Sequence, residues 1–263
     1  RFVIMSEGLS IDEGQNVDVI INGEVVSGKF LAKSPKFDIA LISIKKKDIT
    51  EDTKKNIVPI KLGNSNKSTL GSFVISYGES GDESGIFNYG IISKKSNQSM
   101  VDANVTVINT NIATSSNDDG LLFDSNGNLL GIGTDMGPDS DTFKVVGIYD
   151  IKRHIEKLSA DIDVVLFGIY GEDITENIAS RYDIPNGVYL TDVAFDSPAY
   201  KAGLQSGDII TAIDGSEIKS MDDIENILSD YKAGKTMSVD IKRKNKDGYF
   251  DMSFDVNIVK YKA

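Results

Sequence analysis

The chain has 263 residues, with 40 acidic against 28 basic side chains, a net charge of −12, no cysteine and a single histidine. That balance argues against nucleic acid or an anionic membrane as partner, since either needs a basic face. Zero cysteines exclude disulfides, thiolate metal sites and cysteine catalysis.

The length suits one large domain or two ordinary ones. No apolar run is long enough to span a bilayer, and no signal-peptide pattern is present. The opening Arg1-Phe2-Val3-Ile4 reads as the middle of a strand. It predicts a preceding segment with room for an export signal or a membrane anchor, and hence an extracytoplasmic protein. Residues 1 to about 148 alternate short apolar runs with turn signals, as in Val17-Asp18-Val19-Ile20-Ile21-Asn22-Gly23 and Gly71-Ser72-Phe73-Val74-Ile75-Ser76-Tyr77-Gly78. Short strands with Gly/Asn turns predict a barrel or sandwich. Asn126-Gly127 between two apolar runs predicts a tight primed hairpin turn, with positive φ at both residues. The basic triplets Lys45-Lys46-Lys47 and Lys242-Arg243-Lys244 read as solvated edges or hairpins.

A helix is predicted over about 150–159, with Ile151, Ile155 and Leu158 at helical spacing and Asp150 as N-cap. His154 falls on its polar side and is expected to be solvated. A mixed α/β pattern follows. Strands are predicted at 164–169, 188–193, 208–213, 237–241 and 249–254, with helices at 197–202 and 221–231. Pro198 sits where a first helical turn admits proline.

Three stretches of the first half carry a resemblance. Phe37-Asp38-Ile39-Ala40-Leu41-Ile42-Ser43-Ile44 is similar to the strand bearing the catalytic aspartate in HtrA/DegP-type serine proteases. Asn128-Leu129-Leu130-Gly131-Ile132-Gly133-Thr134 is similar to the strand after their nucleophile. Between them the family writes G-N-S-G-G-P-L, where this chain has Ser116-Asn117-Asp118-Asp119-Gly120-Leu121-Leu122. In the second half, Pro185-Asn186-Gly187-Val188-Tyr189-Leu190, Ser197-Pro198-Ala199-Tyr200-Lys201-Ala202-Gly203-Leu204-Gln205-Ser206-Gly207-Asp208-Ile209-Ile210 and Ile213-Asp214-Gly215 resemble the PDZ domain that follows such protease domains. The resemblance implies a mostly β fold. A chymotrypsin-like double β-barrel without its first strands (1–160) would precede an α/β PDZ domain (161–263).

It also implies a triad that this chain lacks. Acyl transfer there needs a serine, a histidine to take its proton, and an aspartate to orient the histidine. The aspartate position is Asp38, the histidine position falls on Gly8 and the serine position on Asp118. Asp119 replaces a glycine whose turn tolerates little else. Two fixed negative charges would oppose an oxyanion hole, where losing one donor already costs about 2.7–4 kcal/mol. The competing reading is an active endopeptidase of protein quality control, with Ser115 or Ser116 as displaced nucleophile and Asp118 or Asp119 as base. A carboxylate that titrates near its ordinary value of about 3.9 is a poor base for an alcohol. Asp118 and Asp119, with Asp124, Asn126 and Asn128, also suggest a calcium loop, but no glutamate closes it at the EF-hand position. No metal or cofactor is expected.

What the PDZ resemblance leaves possible is binding. An extended peptide adds a strand, and its terminal carboxylate is held by backbone N–H groups in the loop before the accepting strand. The family's Y-L-G-I maps onto Leu166-Phe167-Gly168-Ile169, with Ile224, Ile227 and Leu228 as apolar floor. The expectation is a non-catalytic pseudoprotease reading C-terminal or extended peptides as an adaptor or regulator. It would act as a homotrimer or in co-assembly with an active homologue, without nucleic acid.

Overall fold

The computed structural model describes residues 2–7, 15–34, 36–37, 39–80, 83–113, 120–133, 142–160, 162 and 164–261. These form two compact units, one of 1–97 with 106–162 and one of 98–105 with 163–262.

In the first unit, β1 (Phe2–Glu7), β2 (Asn16–Ile21), β3 (Glu24–Ser34) and β4 (Ile39–Ile44) make an antiparallel sheet in the order β1-β4-β3-β2. Asn22 and Gly23, at φ 51° and 83°, turn β2 into β3, the mirror-image turn that suits the twist of paired strands. Along β3, Val26, Gly28 and Phe30 are buried while Val25, Ser27 and Lys29 are exposed, the period of two that a one-faced strand requires. Helix α1 (Glu51–Asn56) starts at the Thr50 cap. Then β5 (Phe73–Ser80), β6 (Glu83–Met100), β7 (Ala103–Ala113), β8 (Gly120–Asp124), β9 (Leu129–Ile132) and β10 (Thr142–Gly147) close a barrel in the order β10-β7-β6-β5-β8-β9. Val74, Ile92, Ile108, Leu122 and Val145 fill it. The chymotrypsin-like half is thus one closed barrel and one four-stranded sheet.

Helix α2 (Ile148–Ser159) packs against β3, β9 and β10. It begins earlier than its sequence suggests, with Gly147 as N-cap, so Asp150 lies in the first turn and accepts from the Thr106 N–H at 2.7 Å. Its buried stripe is Ile148, Ile151, His154 and Leu158, with Ile155 half-buried. The expected solvated histidine is therefore a core residue.

The second unit holds β11 (Val165–Leu166), β12 (Ile169–Ile174), α3 (Glu176–Tyr182), β13 (Gly187–Val193), α4 (Pro198–Ala202), β14 (Ile209–Ile213), β15 (Ser216–Glu217), α5 (Met221–Asp230), β16 (Thr236–Asn245), β17 (Gly248–Asn257) and β18 (Val259–Lys260). Its main sheet runs β12-β13-β14-β16-β17, with β15 on β14, while β11 pairs with β18. The single strand expected at 164–169 is broken into β11 and β12, because Gly168 turns the chain at φ 96°. Helix α3 has no counterpart among the expected elements; it is short, buries only Ala179 and leaves Ile178 exposed, so it has almost no apolar period to read.

The S-P-A-x-x-A-G run folds for local reasons. The Ser197 hydroxyl accepts from the Tyr200 N–H at 3.1 Å, Pro198 opens α4, and Gly203 ends it in the left-handed region at φ 100°. Helix α5 has a reciprocal cap: Ser220 accepts from the Asp223 N–H while the Asp223 carboxylate accepts from the Ser220 N–H. Met221, Ile224 and Leu228 then enter the core.

Candidate functional site

The candidate site of the second unit is the loop from Leu166 to Ile169. The Phe167 carbonyl accepts from the Ala199 N–H and the Gly168 carbonyl from the Ala194 N–H, both at 2.9 Å. The Ser197 hydroxyl reaches the Gly168 carbonyl at 3.3 Å. With these carbonyls held on one side, the N–H groups of Phe167, Gly168 and Ile169 converge on the other. Only glycine suits the middle position, because φ is 96° and a Cβ there would overlap the Ser197 side chain.

What the three amides hold is a carboxylate. Asp102 Oδ2 accepts from Phe167 N–H at 2.8 Å, and Oδ1 accepts from Gly168 N–H at 2.7 Å and Ile169 N–H at 2.9 Å. Bonds to an ionised acceptor at such distances are about twice as strong as neutral ones. Asp102 lies in the turn joining β6 to β7, in the stretch 98–105 that clusters with this unit, and is 4% exposed. Burial first, and then the Asp102 charge, raise the pKa of the Tyr261 hydroxyl.

Strand β12 begins at this loop and is the sheet's edge, paired with β13 alone among the main-sheet strands. Two of its carbonyls accept from the β6–β7 hairpin. The Asp102 N–H donates to Ile169 O at 2.8 Å and Asn104 Nδ2 to Gly171 O at 3.2 Å. Helix α5 runs alongside, packed on β11 and β12. The Asp173 carboxylate accepts from the Met221 N–H at 2.7 Å, and burial raises its pKa.

Of the anticipated binding residues, Phe167, Gly168 and Ile169 supply the amides. Leu166 is half-buried in β11 opposite Val259. Ile224 and Leu228 are buried in the same core cluster as Phe167 and Ile169, and Ile227 is half-buried against it. Sequence reasoning missed Asp102 and Asn104. They lie some 65 residues upstream of the loop, within an ordinary hairpin, and no local signal marks them.

The triad-equivalent positions Gly8, Asp38 and Asp118 lie outside the described residues, as do Ser115, Ser116 and Asp119. His154 is 7% exposed and meets Phe37 edge-on at 5.1 Å. Burial, then the charges of Lys36, Lys157 and Arg153, push its pKa down to about 3. Its Nε2 is buried with no hydrogen-bond partner among the described residues.

Of the calcium candidates, Asp118 and Asp119 lie outside the described residues, and Asp124 is engaged by its own turn. Asp124 accepts from the N–H groups of Asn126 and Asn128 at 2.8 and 2.9 Å and from Asn128 Nδ2 at 2.8 Å. Burial alone would raise its pKa, but the bonds from Asn128 and Asn126 hold it below the usual value. Gly127 alone takes positive φ, at 76°, so the turn is an Asp-capped loop rather than the two-residue primed turn expected. No cluster of potential metal ligands occurs among the described residues.

Comparison with known proteins gives a trypsin-like part followed by a PDZ part. Residues 5–132 match the trypsin-like peptidase domain and residues 152–253 the PDZ domain. The chain is 25% identical over 269 residues to a "Probable periplasmic serine endoprotease DegP-like" of Pseudomonas putida (strain W619), covering 96% of the chain and 54% of that protein. It is 26% identical over 250 residues to a "Serine protease Do-like HtrA" of Lactobacillus helveticus, covering 87% of the chain and 59% of the relative. The chain thus spans little more than half the length of these relatives. Among solved structures, the HtrA-type protease AlgW with tripeptide aligns at TM-score 0.60 and 20% identity, over 92% of this chain and 80% of that one. The same protease with decapeptide aligns at TM-score 0.58 and 18% identity, over 92% and 74%.

Proposed function

We propose that this chain, which belongs to the HtrA/DegP-like proteins with a trypsin-like peptidase domain followed by a PDZ domain, works by binding peptides rather than by cutting them. One observation carries the reading. The Phe167–Ile169 loop coordinates a carboxylate through three backbone amides at the mouth of an edge strand. Strand addition needs that edge, and a chain terminus needs that cradle. The half-buried Ile227 and the buried Leu228 on α5 are the candidate apolar wall, which favours an apolar last residue. Residues 1–160 and 161–263 are read as the two functional domains.

The non-catalytic part rests on the residues at the triad positions: Gly8, Asp38 and Asp118 contain neither the base nor the nucleophile of acyl transfer. The one histidine is packed into α2 with its protonation suppressed. The relatives are named as serine proteases, several of them as probable periplasmic endoproteases. An adaptor or regulator outside the cytoplasm, alone or assembled with an active homologue, fits both facts.

The test is titration of the full chain with a pool of peptides ending in free apolar carboxylates, against the same pool amidated, together with hydrolysis of unfolded casein. Saturable binding that amidation removes, without hydrolysis, is the expected result. Casein cleavage that survives repurification would overturn the non-catalytic reading, and equal behaviour of free and amidated pools would overturn carboxylate recognition.

A further inference from the structure

The loop that would receive a peptide's end already holds a carboxylate belonging to this chain. Asp102 does more than contribute charge. It offers Ile169 a main-chain N–H at 2.8 Å and the three amides a carboxylate at 2.7–2.9 Å. A terminal residue laid along the edge of β12 would present that same pair of groups. Asn104 extends the imitation: its Nδ2 reaches Gly171 O at 3.2 Å, where the next inward N–H of an added strand would donate.

The turn is shaped for this. Asp102 sits at φ 58° in the left-handed region, with Val101, Ala103 and Val105 around it buried. The fit is also incomplete. Asn104 Oδ1 is buried and has no hydrogen-bond partner among the described residues, and an unpaired buried acceptor is destabilising. A true strand would bring a main-chain carbonyl instead, so an outside ligand has an advantage the internal one lacks.

We propose that Asp102 is a built-in competing ligand of the peptide-binding loop: the hairpin tip 98–105 occupies the loop through a side-chain carboxylate, and it must leave before a chain-terminal carboxylate can enter. This rests on the peptide-binding reading and adds regulation to it. Two carboxylates cannot share three amides in a buried site, since like charges there repel strongly. A tethered ligand also competes at high effective concentration. The apparent affinity for an outside peptide is therefore reduced by the fraction of molecules whose loop is vacant.

The experiment compares the full chain with D102G and D102N, since glycine and asparagine both accept a left-handed backbone. The probe is the pool of free-carboxylate peptides with apolar last residues. The readouts are binding and the hydrogen exchange of the Phe167, Gly168 and Ile169 amides. In D102G these amides should exchange about tenfold faster or more, and the pool should bind about tenfold tighter or more than to the parent chain, with D102N between. Equal affinity in parent and D102G overturns the proposal, as does unchanged exchange of the three amides. Faster exchange in D102G with no peptide bound by any variant leaves Asp102 as the loop's ligand and overturns the peptide reading instead. If D102G fails to fold, D102N carries the same comparison.

Discussion

Arg243 grips Asp208 with two parallel bonds, Nε to Oδ1 at 2.6 Å and Nη2 to Oδ2 at 2.7 Å. Nη2 also donates to Gly203 O at 2.9 Å, and the guanidinium lies 5.4 Å from the centre of the Phe254 ring. The central residue of an apparently solvated basic triplet thus ties β16 to the turn before β14. Asp208, at 1% exposure, depends on it. Replacing Arg243 by methionine strands that charge, and breaking a buried pair from one side costs about 3–5 kcal/mol. Denaturant unfolding of R243M should show that loss. D208N combined with R243M should cost much less than the two single changes added together; additivity would mean the pair is not coupled.

His154 should make stability rise with pH. Its folded pKa, near 3, lies below the unfolded value of about 6.5, so between them the unfolded chain binds the extra proton. The stabilisation is complete above about pH 6.5 and is lost as pH falls toward 3. The slope approaches about 1.4 kcal/mol per pH unit once the unfolded imidazole is protonated. H154F should flatten stability measured between pH 5 and 7, where carboxylates contribute little. An unchanged slope would assign it to other groups.

Gly168 should tolerate no side chain. G168A puts a Cβ into Ser197 at a backbone angle that L residues rarely adopt. The expected outcome is about tenfold or greater loss of free-carboxylate peptide binding, with destabilisation of order 1–3 kcal/mol. S197A should keep the glycine geometry and lose only about 1 kcal/mol from the α4 cap. Equal binding losses in the two variants would argue against the conformational role of Gly168.

Millimolar calcium should leave the melting temperature unchanged, because Asp124 already accepts three protein donors. D124A should lower stability by about 1–3 kcal/mol through its unsatisfied N–H groups. A calcium-dependent rise in melting temperature would restore the metal reading.

Much of the fold is legible in the residues. Val25-Val26-Ser27-Gly28-Lys29-Phe30 alternates visibly, Ser197-Pro198-Ala199 carries its own cap, and Met221-Ile224-Leu228 shows the face of α5. Each of these signals lies within one element. The differences lie where partners are remote. His154 looks solvated because three apolar residues define a face too narrow for a helix covered by β3, β9 and β10. Arg243 looks solvated because its partner lies 35 residues earlier.

The order of residues by itself determined the mostly β pattern, with a trypsin-like part before a PDZ part, since the motifs that carry it are residue types at fixed local spacing. Only the tertiary structure decided that the Phe167–Ile169 loop is filled, and by Asp102. A hydrogen bond between residues 65 apart leaves no trace in local periodicity, because its geometry exists only after the β6–β7 turn and the Gly168 bend have been brought together.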